Sequence, residues 1–222
     1  MRVAVVGGTG TLGSALAWRL AEAGHPVVVG SRVLERAVNV ACAVSALAGS
    51  GAPVEAAANR DAARAAEVVV VAVPPAGHAE AIRDIAPWTA GRVVVDACVC
   101  HHPERPGAWA PPPEGSAALA ARRLLPAAAR LAATFHTITA RSLTAPRRFP
   151  PGDVPVVADS PEALEATAAL LQDLGLPWVA AGGLEASPAL EHLAVLLAGL
   201  AEHHGVPRPR VGFHGLPRRG PR

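Results

Sequence analysis

Short apolar runs alternate with amphipathic helical patterns through the first half of the chain. The apolar run at residues 2–6 precedes a helical pattern at 12–24, and the run at 26–30 precedes another at 33–49. The run at 68–71 is apolar at every position, as expected for a parallel strand that is covered on both faces. This alternation predicts an α/β fold built on a doubly wound parallel sheet.

Two proline-rich stretches interrupt this rhythm. Residues 101–114 carry too many prolines for regular helix or strand, and residues 144–155 form a second such stretch before strand and helix patterns resume. We therefore predict two domains: a Rossmann-type nucleotide-binding domain over residues 1–150 and a smaller C-terminal α/β domain over residues 151–222.

The junction between the first strand and the first helix is rich in glycine. Gly8, Gly10 and Gly13 fit the pattern G-x-G-x-x-G in its proper strand–turn–helix setting. The missing side chains allow a tight turn and let a pyrophosphate approach the helix N-terminus, where free N–H groups favour negative charge. The pattern predicts a dinucleotide site.

The residues after the second strand indicate which dinucleotide binds. An acidic side chain there would accept the ribose 2′-hydroxyl of NAD, but this chain has Ser31 and Arg32, with Arg36 one helical turn further on. A hydroxyl and two guanidinium groups suit a 2′-phosphate, so we expect NADP(H). The alternative interpretation of the two arginines is an ordinary solvated helix start.

Composition limits the other partners. The net charge is only +2 and aromatic residues make up 3% of the chain, which disfavours nucleic acid as a partner. No uninterrupted apolar run reaches the roughly 18 residues that span a bilayer, so we expect no membrane segment. The first strand begins too early for a signal peptide, and three cysteines do not form a disulfide framework. We expect a cytoplasmic protein.

Several other motifs have two interpretations. Cys98, Cys100, His101 and His102 cluster soft and imidazole metal ligands, but no second Cys pair follows, so we predict a strand end without metal. Asp96 is either an acid at the end of a strand or a carboxylate that caps a turn. The absence of tyrosine and lysine excludes the usual short-chain dehydrogenase mechanism.

Three segments together resemble a known family. They are GGTGTLGSALAWRLAEAGHPVVVGSR at 7–32, FHTITA at 135–140 and GGLEASPALEHL at 182–193. In order and spacing they are similar to the NADPH-dependent coenzyme F420 reductases. The resemblance implies direct hydride transfer between NADPH and the deazaflavin ring of F420 as co-substrate, with no obligatory catalytic acid or base.

The resemblance also implies roles for individual residues. Those implied for NADP(H) are Gly8, Thr9, Gly10, Thr11, Leu12, Gly13, Ser31, Arg32, Arg36, Val73, Pro74, His78, Ile138 and Ala140. Those implied for the acceptor are His136, Thr137, Leu184, Ser187 and Leu190, with Glu191 beside them. His136 would orient or polarise groups near the hydride path rather than transfer a proton.

The sequence leaves alternatives open for the molecule that accepts the hydride from NADPH. A related reductase would use flavin or a small carbonyl or imine compound, and an NADP-sensing module would bind without turnover. The stretch 101–114 departs most from the family pattern and would select the acceptor if it covers the deazaflavin. Arg141, Arg147 and Arg148 would attract the anionic F420 tail, or form a basic solvated hinge.

The last helical pattern bears on assembly. It is predicted to start with Ser187 as N-cap and Pro188 at the first helical position. Over residues 187–203 it has more leucine than one buried face needs, so we expect a homodimer through this region.

Overall fold

The described residues form one eight-stranded sheet with helices on both faces. The computed structural model describes residues 1–49, 51–102, 104–105, 107–144, 152–207 and 209–216. The strands are β1 (Val3–Val6), β2 (Val27–Ser31), β3 (Val54–Ala58), β4 (Val68–Val71), β5 (Val93–Asp96), β6 (Arg130–Ala133), β7 (Val154–Ala158) and β8 (Trp178–Ala180). The helices are α1 (Thr11–Glu22), α2 (Leu34–Ala48), α3 (Asn59–Ala65), α4 (Pro75–Ile85), α5 (Ala117–Leu124), α6 (Ala140–Leu143), α7 (Pro161–Asp173) and α8 (Ser187–His204).

The strand order is β3-β2-β1-β4-β5-β6-β7-β8. Strands β1 to β6 are parallel, and β1 lies between β2 and β4. The order therefore reverses at β1 and β4, and the crevice at such a reversal is where α/β sheets bind ligands. This arrangement confirms the predicted Rossmann-type α/β class.

Both faces of the central strands are buried, which explains their uninterrupted apolar sequences. Val3 and Val5 point into a cluster that includes residues of α1, α2 and α7. Ala4 and Val6 point into a second cluster with residues of α3, α4 and α5. Because each strand has a helix layer on either side, the alternation typical of a half-exposed strand is absent.

The C-terminal strands continue this sheet in the opposite direction. β7 pairs antiparallel with β6, with Ala133 opposite Val157, and β8 pairs parallel with β7. The predicted domain boundary at residue 150 lies within residues 145–151, outside the described residues, as do Arg147 and Arg148. The division into two domains stays a prediction.

The start of α8 differs from the prediction. A 3₁₀ turn at Leu184–Ala186 leads directly into the helix, so Ala186 is the N-cap and Ser187 already has helical dihedral angles. The prediction of Ser187 as N-cap was wrong by one residue. Its hydroxyl instead forms a hydrogen bond with the Ser116 hydroxyl, at 2.6 Å between the two oxygens.

One helical stretch passes a length and composition test for a bilayer span. Leu184–His204 is 21 residues long with a mean hydropathy of 1.3, although Glu191 and His192 interrupt its apolar run. The helix packs against the protein through the Glu191 side, since that carboxylate is fully buried and hydrogen-bonded. Core helices of soluble proteins pass the same test, so it is weak support for a membrane segment.

Glu191 holds the proline-rich stretch 101–114 and its flanks against α8. Its carboxylate accepts backbone N–H groups from Cys100 at 2.9 Å and Ala117 at 2.6 Å, and the indole N–H of Trp109 at 3.3 Å. The Trp109 ring also lies 3.6 Å, centre to centre, from the ring of His192. Three donors thus satisfy one buried carboxylate, and the described part of this stretch packs on a helix.

Replacing Glu191 should destabilise the fold. Glu191→Ala removes a charged acceptor and leaves buried donors unpaired, so we expect the free energy of unfolding to fall by at least about 2 kcal/mol. Glu191→Gln keeps an oxygen acceptor and should cost less. Urea denaturation measures both, with the exposed Glu202→Ala on the same helix as control. A Glu191→Ala protein as stable as Glu202→Ala would contradict this account of the carboxylate.

Candidate cofactor and acceptor site

The glycine turn between β1 and α1 has the geometry of a phosphate site. Gly7 has a φ of +76°, which favours glycine, and a Cβ on Gly13 would clash with the carbonyl oxygen of Gly7. Gly10 is the N-cap of α1, no side chain caps this end, and the first turn has no acidic residue. Thr11 is exposed, and the first turn of a helix carries free N–H groups and the positive end of the helix dipole, so this end suits an anion.

The end of β2 borders a cavity. The Ser31 side chain is almost buried and accepts the N–H of Val33 at 3.2 Å. Arg32 and Arg36 are exposed. The cavity, called here the β2 cavity, has a volume of about 410 Å³ and is lined by Ser31, Arg32, Ala58, Asn59, Arg60, Glu80, Ala81 and Asp84. Ser31 and Arg32 thus share one concave surface with residues of α3 and α4, and Arg36 does not line it.

His78 and Asp96 form a buried pair where β4 and β5 end. The Nε2 atom of His78 lies 2.7 Å from Oδ2 of Asp96, and the other carboxylate oxygen accepts the Cys98 N–H at 2.9 Å. Burial lowers the pKa of His78, but the negative charge and hydrogen bond of Asp96 outweigh it, so the pKa is raised above 6.5. The ring therefore keeps its proton to a higher pH than a free histidine does. Val73 is half-buried and Pro74 exposed just before α4.

His136 lies on the other side of the same network. Its Nε2–H donates to the carbonyl oxygen of Cys98 at 3.1 Å, which leaves Nδ1 as an unprotonated acceptor. Nδ1 is buried and has no hydrogen-bond partner among the described residues. Burial lowers the pKa of His136, so this ring is neutral. Hydrogen bonds through Asp96 and Cys98 thus join two histidines whose pKa values are shifted in opposite directions.

The segment around His136 has an unusual backbone. Phe135 is the one residue other than glycine with positive φ in the described chain, at 70°, a conformation that costs about 1 kcal/mol or more and is most often found at functional sites. Thr137 donates its hydroxyl to the carbonyl oxygen of Asp153 at 3.2 Å. Ile138 and Ala140 pack in the same cluster as Leu12 of α1. This segment therefore packs near the start of α1, the helix that follows the glycine turn.

The residues predicted as the second acceptor wall are buried. Leu184 and Leu190 belong to the cluster that also contains Val73, while Ser187 is fully buried against Ser116. These side chains are therefore packed in the interior and have little surface open to a ligand. Their contact with an acceptor stays a prediction.

The cysteines near the site are packed as apolar residues. Cys98 and Cys100 are buried with Ala117, and Trp109 packs against them. A hydrogen bond with Cys100, together with burial, raises the pKa of the Cys98 thiol, whereas metal ligation needs the thiolate. Within the described ranges, no group of three or more His, Cys, Asp and Glu side chains is placed to hold a metal ion.

Two features of the site are not predicted from sequence. The pairing of Asp96 with His78 joins residues 18 positions apart, and the only local signal was the position of Asp96 at a strand end. Asn59 and Glu80 line the β2 cavity with Arg32, yet each belongs to a different helix. Such contacts form only because the strand order places these helices next to each other, and the sequence does not reveal that order.

Comparison with known proteins gives a family match over the N-terminal part. The family model for "NADP oxidoreductase coenzyme F420-dependent" matches residues 2–99. This range contains the glycine turn, the end of β2 and the His78–Asp96 pair.

Similar proteins extend the match to the full length. The F420-dependent NADP reductase of Methanothermobacter thermautotrophicus is 35% identical over 98% of this chain and 96% of its own. That of Methanocaldococcus jannaschii is 27% identical over 90% of this chain and 92% of its own. The crystal structure of a candidate F420-dependent NADP-reductase from Arthrobacter sp. FB24 superposes with a TM-score of 0.79 at 26% identity, covering 98% of this chain and 100% of that one. The chain therefore belongs to the family of coenzyme F420-dependent NADP oxidoreductases.

Proposed function

We propose that this protein transfers a hydride between NADPH and the deazaflavin ring of coenzyme F420. The observation that carries the proposal is the 35% identity to an F420-dependent NADP reductase over nearly the whole of both chains. The two cofactors supply the donor and acceptor carbons, so the protein has to bind, orient and exclude water. In this proposal residues 1–150 hold NADPH and residues 151–222 complete the acceptor site.

The residues present fit NADP(H). The uncapped helix end at Gly10 and Thr11 suits the pyrophosphate, together with Gly8, Thr9, Leu12 and Gly13. Ser31, Arg32 and Arg36 provide a hydroxyl and two cations for the 2′-phosphate. Val73 and Pro74, at the end of β4, would follow the nicotinamide ribose.

The neutral His136 is proposed as a positioning residue for the reacting rings. Its Nδ1 is a buried acceptor that no described residue supplies with a donor, and a buried acceptor gains stability when a donor is supplied. An amide or ring N–H of a bound cofactor would be such a donor. Thr137, Ile138 and Ala140 would shape this side of the site, and Leu184, Ser187 and Leu190 would support the other.

The His78–Asp96 pair is proposed to hold a proton beside the hydride path. NADPH, F420 and one proton give NADP⁺ and reduced F420, so the reaction consumes a proton as well as a hydride. The fully buried carboxylate of Asp96 raises the pKa of His78, which lies in the first part of the helix that follows the proposed ribose contacts. The pair would therefore supply charge and a proton close to His136, to which Cys98 links it.

We further propose a homodimer in the cytoplasm with small-molecule partners, and neither a membrane nor a nucleic acid. Leu196 and Leu200 of α8 are 58% and 38% exposed, which suits an interface between two copies. Cys42, Cys98 and Cys100 are free thiols, as expected in a reducing compartment.

The activity itself is tested by a single assay. Purified protein mixed with NADPH and F420 should remove the long-wavelength absorbance of oxidised F420. If turnover is seen only with a flavin, carbonyl or imine acceptor, F420 is not the acceptor and the proposal is wrong on that point. Tight NADPH binding without any turnover would indicate a sensing module and contradict the proposal.

Protonation of His78 should appear in the pH dependence of stability. Because its pKa is raised by folding, its stabilising contribution is complete below the unfolded pKa and is lost as pH rises through the folded pKa. The difference in unfolding free energy between wild type and His78→Gln should therefore shrink as the pH rises above about 6.5, the ordinary pKa of histidine. The exposed His203→Gln serves as control. A difference that does not change with pH would show that folding leaves the pKa of His78 unshifted.

Assembly is tested by sedimentation. The wild type should sediment at twice the 22.5 kDa chain mass. Leu196→Glu places a charge on the exposed apolar side of α8 and should give monomers, while Glu162→Gln on α7 should not. A monomeric wild type would reject the dimer.

A further inference from the structure

The β2 cavity contains charges of both signs. Arg32, which follows β2, and Arg60, in the first turn of α3, line it together with Glu80 and Asp84, which lie one turn apart on α4. If NADPH binds as proposed, its adenosine end lies beside Arg32 and therefore in this cavity. A site for a 2′-phosphate alone would be expected to carry cations without nearby acids.

Glu80 pairs with the arginine that is proposed to bind phosphate. Its Oε2 lies 3.6 Å from Nη1 of Arg32, and the two side chains are 70% and 74% exposed. The pair joins the end of β2 to α4 across the cavity. A carboxylate and a phosphate are both anions, so Glu80 and a 2′-phosphate compete for the same guanidinium group.

We propose that Glu80 is a specificity-determining residue, which competes with the 2′-phosphate of NADPH for Arg32 and accepts the 2′-hydroxyl of NADH. Carboxylates near this ribose are the usual recognition element for NADH, and here one reaches the site from α4 instead of the end of β2. The cavity then discriminates between the two dinucleotides less than its arginines alone would, although NADPH is still preferred. This inference rests on the proposed NADP(H) site and does not depend on the identity of the acceptor.

Dissociation constants for NADPH and NADH, measured by fluorescence titration, test the inference. Glu80→Gln should bind NADPH about two- to fivefold more tightly, the range expected for an exposed charge pair, and NADH no more tightly than the wild type does. The preference for NADPH therefore rises. Glu162→Gln, which removes the same charge from an exposed position on α7, should leave both constants unchanged.

A second variant separates competition for Arg32 from a general charge effect. In an Arg32→Ala background, Glu80→Gln should no longer increase NADPH affinity, because the shared guanidinium group is gone. The gain in the wild-type background should also decrease at high salt, since the pair is exposed and screened.

The outcomes distinguish this inference from the proposed function. An unchanged preference in Glu80→Gln, or an equal gain in Glu162→Gln, would overturn the role of Glu80 while leaving the reductase intact. If the protein does not reduce F420 but Glu80→Gln still shifts the preference toward NADPH, the proposed acceptor is wrong and the proposed role of Glu80 is supported.

Discussion

The need to cover both faces of apolar parallel strands determines the architecture of this protein. Val3 and Ala4 are neighbours in sequence, yet they enter different hydrophobic clusters on opposite sides of the sheet. Helices must therefore pass on both sides, and the chain reverses its strand order between β1 and β4. That reversal brings the glycine turn after β1 beside the end of β4, where a dinucleotide is proposed to bind.

Two buried carboxylates, those of Asp96 and Glu191, are each stabilised by several hydrogen-bond donors. Asp96 is satisfied by an imidazole and a backbone N–H, and Glu191 by two backbone N–H groups and an indole. Each carboxylate connects segments that the sheet alone does not fix. Since buried charges are stable only with such partners, these two residues set the positions of the histidines and of the proline-rich stretch.

Local features of the fold and site could be predicted from sequence, and long-range pairings could not. Gly10 lies in the turn after β1 and Arg32 directly follows β2, so the residues next to them in sequence are sufficient to predict their roles in a dinucleotide site. The partner of Arg32 is Glu80 on α4, which only the packing of helices reveals. The N-cap of α8 was misplaced by one residue because the 3₁₀ turn before Ser187 already gives that residue helical dihedral angles, and Pro188 fits the first turn of a helix in either case.

The strand order has a consequence for folding. Val3 of β1 pairs with Val68 of β4, which follows it by 65 residues. Contacts between residues so distant in sequence carry a large loop-closure cost and slow the search for the native state. During synthesis the first strand leaves the ribosome well before this partner, so the edge of β1 that pairs with β4 stays open until β4 has emerged. This chain is therefore expected to fold slowly and late, and to depend on chaperones during that interval more than a protein of local contacts would.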